Sequence, residues 1–201
     1  MPFSLNGLIG GGDVTANWSG TGFGSFNQPT NVLANTYLAS PIDTIISPIE
    51  LILTSTGPCP VIKDTLVLTV TPAPIVNANA NQIVCANNAN VSLAGTVSGG
   101  ASTGSWSTPN GTGSFSPNAT DLNATYIPSA ADTALGLVTI VLTSTGSASC
   151  NPETDTMTVT ITDAPYADIA VDTIYVCSNN PNFNLSGTVY GATSTGKWTT
   201  S

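Results

Sequence analysis

The sequence predicts an all-β protein made of tandem Greek-key sandwiches of about 90 residues each. Three related segments lead to Trp18, Trp106 and Trp198, which stand 88 and 92 positions apart. An interval of that length fits one small domain. Short runs rich in β-branched residues alternate with Gly, Pro and Asn clusters along the whole chain. The chain is therefore predicted to be an array of β-sandwiches joined end to end.

The repeats also predict where each domain begins and ends. The letters Leu-Thr-Ser-Thr-Gly occur at 53–57 and again at 142–146, and other matches keep nearly the same register. Because the chain opens inside one repeat and closes inside another, we expect the natural polypeptide to continue past at least one end. The start Met1-Pro-Phe also lacks the basic residues that begin a secretory signal. The predicted domains are an immunoglobulin-like repeat without its first strand at 1–74, a complete repeat at 75–165, and the start of a third repeat at 166–201.

Turn signals separate seven predicted strands in the complete repeat. They lie at residues 75–85, 91–97, 104–107, 113–116, 124–127, 138–144 and 155–162. One helical turn is predicted between Pro128 and Ala134. Successive side chains of a strand point to opposite faces of the sheet. Positions that are apolar in both copies must point inward, since the positions between them include Pro48 and Glu50, which do not suit a core. The predicted inner positions are Ile49, Leu51 and Leu53 with Val138, Ile140 and Leu142; Phe3, Leu5 and Ile9 with Val91, Leu93 and Val97; and Leu66, Leu68 and Val70 with Met157, Val159 and Ile161.

The three tryptophans are predicted to be core residues. Sandwiches of this type place a core ring on the third strand, and each tryptophan recurs inside an inward-facing pattern. A role in stacking on sugars would need exposed, coplanar aromatic rings. Phe23 lies in a segment without an aromatic match in the second repeat, and it is a candidate for a contact surface.

Composition excludes several classes of function. The chain has 2 Lys, no Arg and no His, and Asp and Glu together number 11, which gives a net charge of −9. Binding of nucleic acid or of anionic lipid requires cations that this chain lacks. No apolar run approaches the roughly 20 residues that span a bilayer, so no membrane insertion is expected. An enzyme is not expected either, because a serine or cysteine nucleophile would lack a histidine base, and Glu50 and Glu153 have no repeated carboxylate partner.

Several repeated motifs resemble those of a known class of surface proteins. They include Val-x-Leu-x-Gly at 91–95, Gly-Ser-Trp-Ser at 104–107 and Ala-Thr-Tyr-Ile-Pro-Ser-Ala-Ala-Asp at 124–132. These motifs resemble the PKD-like and immunoglobulin-like tandem repeats of very large surface adhesins or filament proteins, which gliding and particle-associated bacteria export by the type IX route. The resemblance implies an extracellular, cell-surface location and a part in adhesion, but it implies no particular ligand.

Cysteines occupy two equivalent positions of the repeats, each of which occurs twice in the chain. Cys85 and Cys177 end the first strand of their repeats, and Cys59 and Cys150 lie in the loop before the last strand. This recurrence favours disulfides in an oxidising compartment. The first prediction is a disulfide between Cys85 and Cys150, with the partners of Cys59 and Cys177 outside the fragment. The alternative is a bond across the junction of two repeats, since the two positions would lie at opposite poles, about 20 Å apart.

Two kinds of surface site are also considered. Asp163, Asp168 and Asp172 lie around the second predicted junction, where carboxylate oxygens suit calcium. The first junction has no matching carboxylates, so we expect solvated side chains and no cofactor. Asp-Thr followed by an apolar residue looks like the O-glycosylation motif of the bacteria named above, although Asp-Thr also begins strands. The candidate acceptors are Thr44, Thr65, Thr133, Thr156 and Thr173.

These observations predict a structural module of an extracellular filament or adhesive appendage. Its partners are expected to be neighbouring repeats of the same polypeptide, and a surface rich in uncharged Ser, Thr and Asn permits side-by-side packing into a homo-oligomeric fibre. A monomeric stalk that spaces a distant adhesin domain is the competing interpretation. A third is a carbohydrate-binding module that contacts cell-surface glycans, which predicts exposed coplanar aromatics.

Overall fold

The structure is a computed structural model that describes residues 2–12, 14–148, 150–191 and 195–200. The chain forms two compact units, Met1–Ala73 and Pro74–Ser201. The division follows Ala73, next to the predicted boundary at 74/75. The boundary predicted at 165/166 stays a prediction, because the second unit includes both the complete repeat and the residues beyond it.

The first unit is a sandwich of two three-stranded sheets. One sheet has the strand order β1-β4-β3 and the other has the order β2-β5-β6. All of the pairings in both sheets are antiparallel. The elements are β1 (Pro2–Asn6), β2 (Ala16–Gly20), β3 (Ser25–Phe26), β4 (Ala34–Leu38), α1 (Asp43–Ile46), β5 (Ile49–Ser55) and β6 (Lys63–Leu68).

The complete repeat in the second unit has a four-stranded sheet opposite a set of shorter strands. The four-stranded sheet has the order β11-β14-β15-β8, and the shorter strands pair as β12-β13-β9 and β10-β7. Beyond this repeat, β16 pairs with β17. The elements are β7 (Pro74–Asn77), β8 (Gln82–Cys85), β9 (Val91–Ser92), β10 (Thr96–Gly99), β11 (Thr103–Ser107), β12 (Ser114–Ser116), β13 (Thr125–Ile127), α2 (Ala130–Leu135), β14 (Leu137–Thr145), β15 (Thr154–Thr162), β16 (Tyr166–Asp168) and β17 (Thr188–Tyr190).

The single first strand predicted at residues 75–85 is two strands that belong to opposite sheets. β7 runs antiparallel to β10, whereas β8 runs parallel to β15. The break falls at Asn79, which has φ of 73° and whose N–H donates to the Asn77 side chain at 2.8 Å. Asparagine tolerates this left-handed conformation, and its side chain competes with the strand ladder for backbone groups. The second predicted strand divides similarly into β9 and β10.

The alternation of inner and outer positions is confirmed for the last two strands of the complete repeat. Val138, Ile140 and Leu142 on β14 are fully buried, as are Met157 and Val159 on β15. Each contributes roughly 1.5–3 kcal/mol relative to an exposed side chain. The buried residues of this core are Ala78, Val91, Leu93, Trp106, Ala124, Tyr126, Val138, Ile140, Leu142, Met157, Val159 and Ile161.

Two inner positions of the first unit are predicted wrongly. Phe3 and Leu66 are both 38% exposed, whereas their counterparts Val91 and Met157 are fully buried. The cause for Leu66 is the partnering of its strand. Among the described residues β6 pairs only with β5, but β15 lies between β14 and β8. The first core is accordingly smaller, with Leu5, Ala16, Trp18, Tyr37, Ile49, Leu51 and Leu53 as its buried members.

A short helix forms where the sequence predicts one turn. Ser129 caps α2: its hydroxyl accepts from the Asp132 N–H at 3.1 Å, and the Asp132 side chain accepts from the Ser129 N–H. This is the reciprocal arrangement of a capping box. Gly136 ends the helix in the left-handed conformation, with φ of 75°. In the described part of the chain, neither helix has the length and hydrophobicity needed to cross a bilayer.

Candidate functional site

A buried carboxylate joins three segments at one end of the complete repeat. Asp132 is 1% exposed. Its Oδ2 accepts hydrogen bonds from the Tyr126 hydroxyl at 2.7 Å and from the N–H groups of Gly113 at 2.8 Å and Ser129 at 3.0 Å. Its Oδ1 accepts from the Thr112 N–H at 2.8 Å. The side chain therefore ties β13, α2 and the turn before β12 together, and we call this arrangement the tyrosine–aspartate corner.

The first unit contains the same corner. Asp43 is fully buried and accepts from the Tyr37 hydroxyl at 3.0 Å. It also accepts from the N–H groups of Phe23 at 2.7 Å and Ser40 at 2.9 Å. In both units the tyrosine precedes the aspartate by six residues and the tyrosine hydroxyl accepts a backbone N–H, from Gly24 at 2.8 Å or from Gly113 at 3.1 Å. The corner is thus a repeated structural feature.

Glycines make room for the tyrosine rings in both corners. A Cβ atom at Gly22 or Gly111 would clash with the hydroxyl of Tyr37 or Tyr126 respectively. One at Gly24 or Gly113 would clash with the ring and also with a backbone carbonyl. The pairs Gly22/Gly24 and Gly111/Gly113 therefore belong to the corner because backbone must approach the tyrosine closely.

The corner holds one fixed negative charge. Burial opposes ionisation of Asp132, but hydrogen bonds from Tyr126, Ser129, Thr112 and Gly113 outweigh burial and lower the pKa of its carboxyl to about 2. Burial and the hydrogen bond to Asp132 raise the pKa of Tyr126 to about 12. The pKa shifts of Asp43 and Tyr37 have the same directions. At neutral pH the aspartate is ionised and the tyrosine is neutral, so the pair is suited to holding structure and poorly suited to exchanging protons.

Acid is expected to weaken the complete repeat through Asp132. The folded pKa of about 2 lies below the unfolded value of about 3.9, so the contribution is fully present above about pH 4. It is lost as the pH falls through 2, and it amounts to about 2 kcal/mol. Urea unfolding at pH 7, 4 and 2 measures this loss. Asp132→Asn should flatten the profile by that amount, and an equally steep profile in this variant would contradict the prediction.

The five candidate glycosylation threonines lie in different environments. The Thr44 and Thr133 hydroxyls donate to the Pro41 and Ser129 carbonyls at 2.8 and 3.0 Å. Their neighbours Asp43 and Asp132 are the corner carboxylates, so the recurrence of Asp-Thr at these two places has a structural cause. The remaining three, Thr65 on β6, Thr156 on β15 and Thr173, are exposed. Glycosylation stays a prediction.

The structure does not bring together Cys85 and Cys150, for which the sequence predicts a disulfide. Cys85 pairs with Thr162 at the end of β15, whereas Cys150 precedes Thr154 at the start of that strand. A nine-residue strand is about 26 Å long, and a disulfide needs Cα atoms within about 7 Å. The two thiols therefore lie at opposite poles of the repeat and are not bonded to each other. Cys59 and Cys177 are exposed, and a bond across repeats stays a prediction.

Reduction is expected to leave the stability of the complete repeat unchanged. The reason is that no bond between Cys85 and Cys150 closes a loop within it. Thermal unfolding with and without dithiothreitol should give the same melting temperature for this repeat, within about 1 °C. Peptide mapping under non-reducing conditions provides the check. Recovery of a peptide linking these two cysteines from the monomer would contradict the structure.

Metal ligands do not gather in the part of the chain that the structure describes. No three His, Cys, Asp or Glu side chains lie close enough there to hold a metal ion. Asp163, Asp168 and Asp172 are all exposed. The absence of calcium from the junctions stays a prediction.

Two of the three tryptophans lie in cores, and the third does not. Trp18 and Trp106 are 8% and 2% exposed, and their indole N–H groups donate to the carbonyls of Leu33 and Asp121, each at 3.1 Å. Trp198 is 53% exposed. Its predicted core position stays a prediction, because the described residues after 165 form one two-stranded ladder and no opposing sheet that could cover the ring. The ring still lies against Gly187, as Trp106 lies against Gly95.

Seven aromatic side chains of the described residues are exposed, namely Phe3, Phe23, Tyr166, Tyr175, Phe183, Tyr190 and Trp198. Phe23 is 66% exposed, as expected for a contact-surface candidate, and its N–H holds the first corner. Tyr166 and Tyr190 are exposed, but their rings stack on each other at 4.8 Å with an interplanar angle of 16°. Because each ring covers a face of the other, this pair is not a flat platform for a sugar.

The outer face of the four-stranded sheet is an array of threonines. These threonines occupy alternate positions of β14 and β15. The antiparallel register places Thr139 opposite Thr158 and Thr143 opposite Thr154. The first unit has charged and apolar residues at corresponding places, including Glu50, Lys63 and Val67. The face is thus uncharged and particular to the complete repeat. Its threonines are Thr139, Thr143, Thr145, Thr154, Thr156, Thr158, Thr160 and Thr162.

Neither a protein-family model nor a curated protein matches this sequence. Among solved structures, a mouse cadherin-23 fragment with domains EC22–24 is 12% identical, with a TM-score of 0.44, over 89% of this chain and 67% of that one. A variant of titin domains I67–I69 is 11% identical, with a TM-score of 0.45, over 82% of this chain and 67% of that one. Sidekick-1 immunoglobulin domains 1–4 are 16% identical, with a TM-score of 0.39, over 94% of this chain and only 54% of that one. By its own strands the chain is an all-β protein, and its first unit and complete repeat are two-sheet sandwiches.

Proposed function

We propose that this chain is a load-bearing repeat module of an extracellular bacterial filament or adhesive appendage, of the kind exported by the type IX route. The observation that carries the proposal is the pairing of the first and last strands of the complete repeat. β8 lies beside β15 and runs parallel to it, from Val159 opposite Gln82 to Thr162 opposite Cys85. The chain enters this repeat near β8 and leaves it after β15.

Tension on the chain would shear this strand pair. A pull on the two ends draws parallel neighbours in opposite directions along their axes, so the hydrogen bonds between them are loaded together and not one by one. The side chain of Thr162 adds a bond to the Val84 carbonyl at 3.2 Å, and Asp155 accepts from the Ala78 N–H at 2.8 Å. This geometry suits a module that must stay folded under load.

The surface supports assembly into a fibre. Charged residues make up 6% of the chain, and the threonine face of the complete repeat has no charge to repel a neighbour. Side-by-side packing of copies is therefore the proposed use of that face, with neighbouring repeats and further copies as partners. A monomeric stalk would use the same load-bearing geometry without lateral contacts, and electron microscopy of the secreted protein distinguishes the two.

Single-molecule force spectroscopy tests the load-bearing role. The complete repeat should give a distinct unfolding peak, and prolines at both Ile83 and Val84 should lower its force because they remove N–H donors from the β8 strand. The matched control carries alanines at the same two positions and keeps the backbone donors. If the proline and alanine variants unfold at the same force as the unaltered chain, the strand pair bears no load and the proposal fails.

A further inference from the structure

The complete repeat contains several Asn-x-Ser/Thr motifs that the proposed function does not use. This tripeptide, with any residue except proline in the middle, is the acceptor for N-linked oligosaccharides in exported proteins. In a folded chain the acceptor asparagine has to lie at the surface. Its amide and the hydroxyl two residues later also have to be free of bonds within the fold, because the transferase contacts both groups. The asparagines of these motifs are Asn90, Asn110, Asn118 and Asn123.

Hydrogen bonds within the fold engage two of these motifs. The Asn110 amide is held at both ends: its Nδ2 donates to the Leu137 carbonyl at 3.2 Å, and its Oδ1 accepts from the Thr139 N–H at 2.9 Å. At Asn118 the Thr120 hydroxyl donates to the asparagine Oδ1 at 2.7 Å, and two backbone N–H groups donate to the same atom. Neither motif therefore presents both groups free.

A neighbouring side chain crosses a third motif. Asn90 immediately precedes β9, and the hydroxyl of this motif belongs to Ser92 on that strand. The Gln82 Nε2 reaches across and donates to the Ser92 carbonyl at 2.9 Å. The approach to this motif is therefore partly occupied by the Gln82 side chain.

Asn123 stands at the corner of a tight turn. The Ala124 N–H donates to the Asp121 carbonyl at 3.1 Å, and the Asn123 N–H donates to the Asp121 carboxylate at 2.9 Å. The indole N–H of Trp106 donates to the same Asp121 carbonyl, also at 3.1 Å, so the turn is tied to the core ring. Asn123 is exposed, and its side-chain amide makes no hydrogen bond to the residues that the structure describes. A fixed turn thus presents a free amide to solvent.

The hydroxyl of the same motif points away from the core. Thr125 begins β13, and the next residue, Tyr126, is fully buried. Because successive side chains of a strand point to opposite faces, the Thr125 side chain lies on the outer face. The strand register places it between Ser116 and Ser92, which are both exposed. Only small hydroxyl side chains flank Thr125 across the strands, so its own hydroxyl is accessible.

We propose that Asn123 is the acceptor of an N-linked oligosaccharide and that Thr125 is the residue by which a transferase recognises it. The donor is an oligosaccharide joined to a polyprenyl diphosphate. The Asn123 Nδ2 attacks the anomeric carbon of the first sugar, and a C–N bond forms as the bond from that carbon to the diphosphate oxygen breaks. The polyprenyl diphosphate leaves, and the Nδ2 proton passes to a carboxylate of the transferase.

The inference rests on the extracellular location in the proposed function, because the transfer takes place on exported chains. A sugar at this turn is bulky and solubilising. It leaves the threonine face uncovered, since that face belongs to the opposite sheet. The first unit has Ala34 in the place of Asn123, so the acceptor is particular to the complete repeat.

Mass spectrometry of the secreted protein tests this site. The chymotryptic peptide of residues 116–126 contains both Asn118 and Asn123, and fragmentation that preserves the sugar locates it. The sugar is expected on Asn123. Asn123→Gln and Thr125→Val, produced in the same cells, should each reduce the glycosylated fraction of this peptide to background, whereas Thr125→Ser should keep the sugar. Asn118→Gln is the matched control, and it should leave the glycosylated fraction unchanged.

The thermal unfolding of each variant shows that a lost sugar does not reflect a lost fold. The inference is overturned if the peptide from the secreted protein is bare, if its sugar lies on Asn118 or on a threonine, or if Thr125→Val keeps the sugar. A bare peptide leaves the load-bearing role standing, since the unfolding force is measured on protein without a sugar. Recovery of the protein only inside cells would contradict the proposed function and, with it, this inference.

Discussion

Asp132→Asn is expected to destabilise the complete repeat by about 3 kcal/mol. The carboxylate accepts four hydrogen bonds at 3.0 Å or less while almost fully buried, and hydrogen bonds to charged groups contribute about 1.5–3 kcal/mol each. Asparagine has one acceptor oxygen, and its NH₂ group would face N–H and O–H donors. For a domain of this size the loss corresponds to a fall in melting temperature of roughly 15 °C. Urea unfolding, followed by hydrogen exchange in peptides from residues 91–162, measures it.

Two control variants distinguish loss of the corner's hydrogen bonds from a general effect of removing a negative charge. Asp163→Asn makes the same chemical change at an exposed position and should alter the free energy of unfolding by less than about 0.5 kcal/mol. Asp43→Asn should destabilise the first unit and leave exchange in residues 91–162 unchanged, because each corner lies within its own unit. A loss of less than 1 kcal/mol for Asp132→Asn would mean that the corner contributes little to stability.

The core could be predicted from the sequence because two copies constrain each other. Alignment of Ile49 with Val138 and of Leu51 with Ile140 identifies inward positions without any knowledge of the strands, and both pairs are fully buried. The method fails where the copies have different neighbours. Leu66 matches Met157 in type but not in burial, since only β15 has a strand on each side. Sequence alignment compares residues one by one, and it does not compare the strands that lie beside them.

The corners were missed although the sequence carries a signal for them. Tyr37 and Tyr126 are each followed by an aspartate after six residues and preceded by a Gly-x-Gly motif that ends thirteen residues earlier. The interpretation of Asp-Thr as a glycosylation motif gives a role to the threonine hydroxyl but none to the aspartate carboxylate. A buried carboxylate is hard to predict because its cost is offset only by donors that the fold brings together from distant segments. The equal spacing of two glycines, a tyrosine and an aspartate in both repeats is the signal that could have found it.

The spacing of the cysteines in the sequence does not predict which of them can pair. Their recurrence at equivalent positions favours disulfides, but a pairing depends on which pole each residue occupies. The parallel direction of β8 puts Cys85 beside Thr162, far from the loop that holds Cys150. The crossing from one sheet to the other at Asn79 could not be predicted from alternation, because residues 77–81 alternate Asn with Ala and so continue a strand pattern from β7 into β8.

Gly95→Ala is expected to destabilise the complete repeat by about 3 kcal/mol. A Cβ atom at this position would lie 2.5 Å from Trp106 Cζ2 and 2.6 Å from Leu142 Cδ2, well inside van der Waals contact. Neither side chain can move easily, because Leu142 is fully buried and the Trp106 indole is held by its hydrogen bond to the Asp121 carbonyl. Overpacking of a filled core costs about 1–3 kcal/mol, and this position belongs at the upper end.

Gly7 and Gly187 occupy the positions equivalent to Gly95, so the same substitution at these two glycines gives controls. A Cβ at Gly7 would meet Leu53 Cδ2 at 2.9 Å and Trp18 Cζ2 at 3.0 Å, whereas one at Gly187 would meet the Asp168 carbonyl oxygen at 3.1 Å and the exposed Trp198 ring at 3.2 Å. Gly7→Ala should therefore cost about 1 kcal/mol in the first unit, and Gly187→Ala less than about 0.5 kcal/mol. Urea unfolding with hydrogen exchange resolved by unit gives the three values. Equal losses at all three glycines would indicate an effect on backbone freedom, which is the same at each, and would rule out contact with the tryptophan as the cause.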